Sequence, residues 1–107
     1  NEPTQFQLVL YAIIKLESQK EHKQMFTGEV YNMYQEICNK TKNEVLTQRR
    51  VGDIIAEFDM LGIINANIIS KGRQGRTKEI KLMLASNIKE RASGILKESI
   101  GILEERL

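Results

Sequence analysis

Residues 46–63 read LTQRRVGDIIAEFDMLGI, and this stretch predicts one short helix with both ends marked. Thr47 is a suitable N-cap, because its hydroxyl can accept a hydrogen bond from one of the first free N–H groups of a helix. Leu46 and Val51 have the spacing of a hydrophobic staple around that cap. Gly62 stands where a left-handed residue typically ends a helix in a Schellman-like turn. The rest of the chain is arranged around this helix.

The predicted helix has one apolar face and one polar face. The apolar residues follow the i, i+3, i+4, i+7 spacing of a buried stripe: Val51, Ile54, Ile55, Phe58 and Leu61. The candidate binding residues on its other side lie near its start: Thr47, Gln48, Arg49, Arg50, Gly52 and Asp53.

Two features of this polar side do not serve helix stability. Gly52 costs roughly 0.8–1 kcal/mol of helix propensity relative to alanine. Arg49 and Arg50 put positive charge at the positive end of the helix dipole, which is unfavourable by ~0.3–1 kcal/mol each at low salt. An anion bound at this end of the helix would make the positive charge of the arginines favourable. A glycine would let the backbone of a binding partner come close. The alternative is that the arginines pair with Asp53 or Glu57 on the same helix.

Length, charge and cysteine count limit the classes of protein. A chain of 107 residues fits a single domain with one modest core. The net charge is only +2, but residues 40–85 hold 9 Lys/Arg against 5 Asp/Glu. Such a local basic excess favours a polyanionic partner. No apolar run is long enough to span a membrane. The lone Cys38 excludes an internal disulfide and fits a reducing compartment.

The order of predicted elements gives the fold class. A first helix is expected at about residues 4–19, and residues 24–26 can form a very short strand. Thr27 should cap a second helix that ends near Lys40, with Phe26 and Tyr31 as its staple. Roughly six residues then lead to the third helix, which suits a helix-turn-helix with a slightly long turn.

After Gly62 every second residue is apolar, which is the spacing of a strand. Ile64, Ala66 and Ile68 should face inward on one strand, and Ile80, Leu82 and Leu84 on a returning strand. Helix, helix, helix, strand, loop, strand is the order of a winged helix, an α+β fold with a two-stranded wing. A further helix is expected over Asn87 to Leu107, capped by Ser86. Its apolar stripe comprises Ile88, Ala92, Ile95, Leu96, Ser99, Ile100 and Leu103.

The hairpin tip is the second candidate binding site. Its candidate residues are Lys71, Gly72, Arg73, Gly75, Arg76 and Lys78. Wing arginines can enter a narrow A·T-rich minor groove beside a major groove read by the helix. Arg49 suits bidentate contact with guanine, and Gln48 suits adenine or phosphate. The alternative is a solvated basic loop.

Catalysis has little support in the sequence. His22 is the single histidine and stands in a polar loop, so neither a histidine-based metal site nor a catalytic triad can be built. Cys38 falls on the apolar stripe of the second helix. The glycine-rich GRQGRT lacks the G-x-x-x-x-G-K pattern of a phosphate-binding loop. We expect a binding domain with no cofactor and no metal.

Two stretches carry a family resemblance: TGEVYNMYQEIC at 27–38 and LTQRRVGDIIAEFDMLGIINANIISKGRQGRTKEIKL at 46–82. They resemble the C-terminal winged-helix domain of the archaeal replication initiators, relatives of the eukaryotic origin recognition complex and its cell-division-control loading factor. The resemblance covers roughly residues 4–84. The family's Thr-Gln-Arg-Arg helix start is matched at 47–50 and its Gly-Arg-x-Gly-Arg-Thr wing at 72–77.

The resemblance implies binding of double-stranded origin DNA, with the third helix in the major groove and the wing, Lys71 to Arg76, in the minor groove. It also implies a preceding AAA+ ATPase domain that is absent from this chain. Implied partners are that ATPase domain, other initiator copies and the replicative helicase, in the archaeal cytoplasm near the nucleoid and away from membranes. Two alternatives stay open: a winged helix used mainly for protein docking, and a dimeric transcriptional regulator. The role of the last helix is open too.

Overall fold

The computed structural model describes residues 2–21, 24–70 and 76–102. Its elements in chain order are α1 (Glu2–Lys20), β1 (Met25–Phe26), α2 (Thr27–Thr41), α3 (Gln48–Met60), β2 (Ile64–Ser70), β3 (Arg76–Leu82) and α4 (Ser86–Ile100). This is the expected α+β order of a winged helix, with the short first strand also present.

The three strands form one antiparallel sheet in the order β1-β3-β2. Ile64 pairs with Leu82 and Ile68 with Lys78, so β2 and β3 make a regular ribbon. Met25 pairs with Ile80, which adds β1 to the other edge of β3. The sheet therefore ties the chain before α2 to the ribbon that follows α3.

The core lies between the first three helices and one face of the sheet. Buried apolar residues from these helices and all three strands form one continuous cluster, which Leu96 and Ile100 of α4 join. Phe6 of α1 meets Phe58 of α3 edge to face, with ring centroids 5.7 Å apart, a favoured aromatic geometry. Met25, Ile64 and Ile80 are the sheet's buried contributions. This packing holds α3 with its apolar stripe inward.

Both predicted ends of α3 are confirmed. The Thr47 hydroxyl accepts a hydrogen bond from the N–H of Arg50 at 3.2 Å. At the other end Gly62 has φ +79°. The N–H of Ile63 donates to the carbonyl of Phe58, and the N–H of Gly62 donates to the carbonyl of Asp59, both at 3.0 Å. This pair of bonds defines a Schellman motif.

The predicted cap of α2 is wrong by one residue. Phe26, not Thr27, precedes the helix, because Phe26 is still extended and paired with Glu79. The carboxylate of Glu29 accepts a hydrogen bond from the N–H of Phe26 at 3.0 Å. The staple positions shift with the cap to Met25 and Val30, and both are buried.

Two residues expected in the core are exposed. Leu61 follows the α3 stripe in sequence but is 66% exposed, because the chain turns at Gly62 beyond the last packed turn. Ile68 shares the inward face of β2 with Ile64, yet it is 59% exposed. The helices do not close over the ribbon at this position, so the alternation continues although no core residue covers Ile68.

The last helix differs from the prediction at both ends. It begins at Ser86 after an extended Ala85, and it ends at Ile100 because Gly101 is left-handed, with φ +86°. Residues 103–107 lie outside the described residues. Leu96 and Ile100 are buried, whereas Ile88, Ile95 and Ser99 of the expected stripe are exposed.

The helix α4 packs on α1. Lys89 and Glu17 form an ion pair of 2.9 Å between the two helices. The Ser99 hydroxyl is 2.8 Å from the side-chain oxygen of Gln7 and donates a hydrogen bond to it. The inward face of α4 is therefore narrower than its apolar pattern indicates.

Candidate nucleic-acid interface

Buried hydrogen bonds fix the backbone that leads into α3. The Tyr31 hydroxyl donates to the carbonyl of Leu46 at 2.7 Å. The Tyr34 hydroxyl accepts from the N–H of Leu46 at 2.8 Å and donates to the side chain of Gln5 at 2.6 Å. The amide of Gln5 in turn donates to the carbonyl of Glu44 at 2.9 Å. Since α1 and α2 hold the residue before Thr47 in this way, the start of α3 has one defined position.

The chemistry of Tyr34 suits this holding role. A tyrosine phenol is protonated at physiological pH, and burial raises the pKa of Tyr34 further above the ordinary value. Its hydroxyl can then act at once as acceptor and donor. Every buried side-chain polar atom in the described part of the chain has a hydrogen-bond partner.

The candidate residues of α3 divide into three directions, because a helix turns once in about 3.6 residues. Arg49 and Asp53 lie opposite the buried stripe and are exposed, together with Met60, which is 87% exposed. Gln48 and Gly52 lie on the flank nearer the ribbon. Arg50 lies on the other flank with Glu57, and Thr47 is exposed at the cap.

The two arginines are not neutralised by their own helix. The ion pairs among the described residues join Lys20 to Glu29 and Lys89 to Glu17. Neither Arg49 nor Arg50 forms one with a described acid, although Asp53 and Glu57 share their helix. The pairing alternative raised by the sequence therefore finds no support within 2–21, 24–70 and 76–102.

A groove separates α3 from the distal half of the ribbon and has a volume of about 300 Å³. We call it the helix–ribbon groove and define it by Gln48, Gly52, Ile68, Thr77 and Lys78. A Cβ added at Gly52 would meet no described atom within 4 Å, so the protein's own packing does not require a glycine there.

The wing candidates are only partly described. Lys71, Gly72, Arg73 and Gly75 lie outside the described residues. Arg76 is the first residue of β3, and Lys78 stands two residues further on, half-buried and opposite Ile68. The structure thus brings Lys78 together with Gln48 and Gly52 of α3.

Other chemistry is sparse in the described part of the chain. It holds no group of three or more His, Cys, Asp or Glu suited to a metal ion. Cys38 is fully buried, and burial raises the pKa of its thiol, which disfavours the reactive thiolate. No described helix has the length and hydropathy needed to cross a membrane.

Sequence reasoning missed several residues around this surface. Thr27 and Thr77 join the groove lining, and their hydroxyl oxygens are 3.4 Å apart. Tyr31 and Gln5 proved to be supports of the α3 start. No local pattern marks these residues, because the partners of Gln5 and Thr27 are 39 and 50 positions away in sequence.

The three packed helices, the six-residue connection into α3 and the antiparallel ribbon define a winged-helix domain. Comparison with known families gives a narrower assignment. The family described as CDC6, C terminal winged helix domain matches residues 1–92. This chain belongs to that family.

Individual relatives agree with the assignment. The ORC1-type DNA replication protein 7 of Halobacterium salinarum is 60% identical over 80 residues, which is 75% of this chain and 15% of that protein. The ORC1-type DNA replication protein 1 of Methanosarcina acetivorans is 57% identical over 81 residues, 75% of this chain and 20% of that protein. The chain thus spans a fifth or less of these relatives' length.

One solved structure is similar along most of the chain. It is the Aeropyrum pernix ORC1 protein in complex with DNA, with a TM-score of 0.76 and 38% identity. The similarity covers 88% of this chain and 23% of that protein. The winged-helix fold and the family are therefore supported by sequence and structure together.

Proposed function

We propose that this domain binds double-stranded DNA at replication origins, as the C-terminal module of an archaeal replication initiator. It acts by binding, without catalysis and without a cofactor. The helix α3 enters the major groove with its N-terminal residues nearest the base edges, and the wing enters the adjacent minor groove.

The observation that carries this proposal is the unneutralised start of α3. Arg49 and Arg50 are exposed, form no ion pair with a described acid, and stand at a helix end anchored by Tyr31 and Tyr34. A rigid helix start with exposed cations suits a phosphate backbone and guanine edges. The solved relative that is described in complex with DNA supports the same partner.

Roles follow from direction around the helix. Arg49 points away from the core and reads a guanine, with Asp53 beside it. The Thr47 end binds phosphate, and Arg50 on the outer flank binds a phosphate too. Lys71, Gly72, Arg73, Gly75 and Arg76 form the proposed minor-groove contact, with Lys78 at the base of the wing.

Fluorescence anisotropy of labelled duplexes tests the proposal. The 107-residue chain is titrated with an archaeal origin repeat and with a scrambled duplex at several salt concentrations. We expect affinity to fall steeply with salt, because phosphate contacts release counterions, and to favour the origin repeat. Failure to bind either duplex at low salt would exclude DNA binding by this domain.

Arg49→Ala tests the base contact, and Arg91→Ala is the matched control, since Arg91 is an exposed arginine of α4. Loss of a guanine contact weakens binding to the origin repeat by roughly 1–3 kcal/mol and reduces discrimination. Arg91→Ala should leave both unchanged. An equal loss on origin and scrambled DNA would reduce Arg49 to a phosphate contact.

Protein docking is a second candidate function, and one observation favours it. Leu61 and Met83 are 66% and 57% exposed. The N–H of Met83 donates to the carbonyl of Ile63 at 2.9 Å, which brings the two segments together. Exposed apolar residues of this kind suit the intact initiator's ATPase domain, another initiator copy or the helicase. Sedimentation at several concentrations tests self-association, which a dimeric regulator would require.

The intact protein is proposed to carry an AAA+ ATPase module before this domain. The support is the family membership together with the small share of each relative that the chain spans. Such a protein would work at the nucleoid in the archaeal cytoplasm.

A further inference from the structure

Ile68 is a solvent-exposed isoleucine beside a polar site. It is 59% exposed and stands opposite Lys78 in the ribbon. It shares the face of β2 that Ile64 uses to enter the core, but the helices do not close over it. It lines the helix–ribbon groove together with Val51 and Ile55, which are themselves buried. Ile68 is therefore the main apolar side chain that the groove leaves exposed.

The remaining lining of the groove is polar or cationic. Lys78 and the amide of Gln48 reach it from opposite walls, and none of its lining residues is acidic. The hydroxyls of Thr27 and Thr77 are 3.4 Å apart, a long separation that leaves both able to bond elsewhere. An acid-free lining with one lysine favours an anionic occupant that also carries an apolar part.

The size and position of the groove select among such occupants. Its volume of about 300 Å³ is at the low end for sites that enclose a whole small molecule, roughly 300–1,000 Å³. It is lined by Thr27 and Tyr31 of α2 and lies between α3 and the ribbon, the elements proposed to enter neighbouring DNA grooves. In any duplex a sugar-phosphate strand separates the major groove from the minor groove. That strand must pass between α3 and the ribbon.

We propose that the helix–ribbon groove holds this strand, with Lys78 and Gln48 binding phosphate oxygens and Ile68 packing against a deoxyribose. The inference rests on the proposed function and adds a specific site to it. A strand alternates anionic phosphate with sugar, so a phosphate and the neighbouring sugar can meet Lys78 and Ile68, which stand opposite each other in the ribbon. Gly52 completes the fit, because its missing side chain leaves the α3 wall open.

A neutral-phosphate scan tests the phosphate contact from the DNA side. Single methylphosphonates replace the phosphates of the origin duplex one at a time, and the unaltered protein is titrated with each. One or two adjacent positions should lose affinity by about tenfold, since a charged contact is removed there. With Lys78→Met the same positions should cause no further loss, because the lysine that sensed the charge is absent.

Lys81→Met is the control. Lys81 has the same charge as Lys78 and lies three residues further along β3, on the opposite face of the ribbon. This variant should retain the full methylphosphonate effect. If the affinity losses caused by Lys78→Met and by a methylphosphonate were additive at every position, Lys78 would contact none of these phosphates. This result would overturn the proposed phosphate contact. This outcome is distinct from failure of the proposed function, in which the unaltered protein binds no duplex at all.

Ile68→Ala tests the sugar contact, with Ile95→Ala as its control because Ile95 of α4 is 61% exposed. Both substitutions should leave thermal stability nearly unchanged. Ile68→Ala should weaken DNA binding by roughly tenfold through lost apolar burial, equally on origin and scrambled duplexes. Unchanged affinity for Ile68→Ala, in a protein whose melting curve is unaltered, would overturn the packing role.

Discussion

Gly52→Ala should stabilise the fold and weaken DNA binding, two effects of opposite sign. Gly52 has helical backbone, lies in the second turn of α3, and has no described atom within 4 Å of an added Cβ. Alanine therefore gains helix propensity without a steric conflict in the free protein. The expected gain in the free energy of unfolding is about 0.8–1 kcal/mol. For a domain of this size that raises Tm by roughly 4 °C.

The loss in binding comes from the same empty space. If a sugar-phosphate strand lies against Gly52, a methyl group must displace it or be accommodated by a shift of α3. Overpacking of this kind costs typically 1–3 kcal/mol, which is about 5- to 150-fold in affinity. Anisotropy titration of the origin duplex measures the affinity, and thermal unfolding followed by circular dichroism measures the stability.

Gly94→Ala is the control for Gly52→Ala. Gly94 also lies within a helix, α4, is exposed, and has no described atom within 4 Å of an added Cβ. Its replacement should give a similar gain in stability and no change in DNA affinity. Tighter or unchanged DNA binding by Gly52→Ala would refute the close approach at this position. A lower Tm would refute the helix argument itself.

Three further outcomes are expected. Tyr34→Phe leaves the N–H of Leu46 and the side chain of Gln5 without their buried partner and should destabilise the fold by about 1–3 kcal/mol in urea unfolding; a change below 0.5 kcal/mol would remove the anchoring role. Cys38, whose pKa is raised by burial, should resist a thiol reagent at pH 8 in the folded protein and react fully in denaturant. Rapid modification of folded protein would contradict its core position. Arg73→Ala should weaken binding most on duplexes with A·T-rich flanks, and equal losses on G·C-rich flanks would exclude the minor-groove role.

The helix-turn-helix was predictable because its signals are local. Thr47 and Gly62 terminate α3 through hydrogen bonds to residues within five positions, so the residue types at those positions are informative. The buried stripe from Val51 to Phe58 follows directly from helical periodicity. Errors arose where no neighbouring element covers an apolar residue: Leu61 follows the last packed turn of α3, Ile68 faces an open groove, and Ile95 lies beside the narrow packed face of α4. Periodicity gives the direction of a side chain and contains no information on where the neighbouring layer ends.

The sequence alone determined the order of elements, the ends of α3, the basic character of residues 40–85 and the resemblance to replication initiators. These depend on neighbours within one or two turns, or on the residue string itself. Only the tertiary structure decided that Lys78 and Ile68 meet Gln48 and Gly52 across a groove. The physical reason is that β1 pairs with β3 and the helices pack on a single sheet face, and these long-range contacts bring together residues that no local spacing relates.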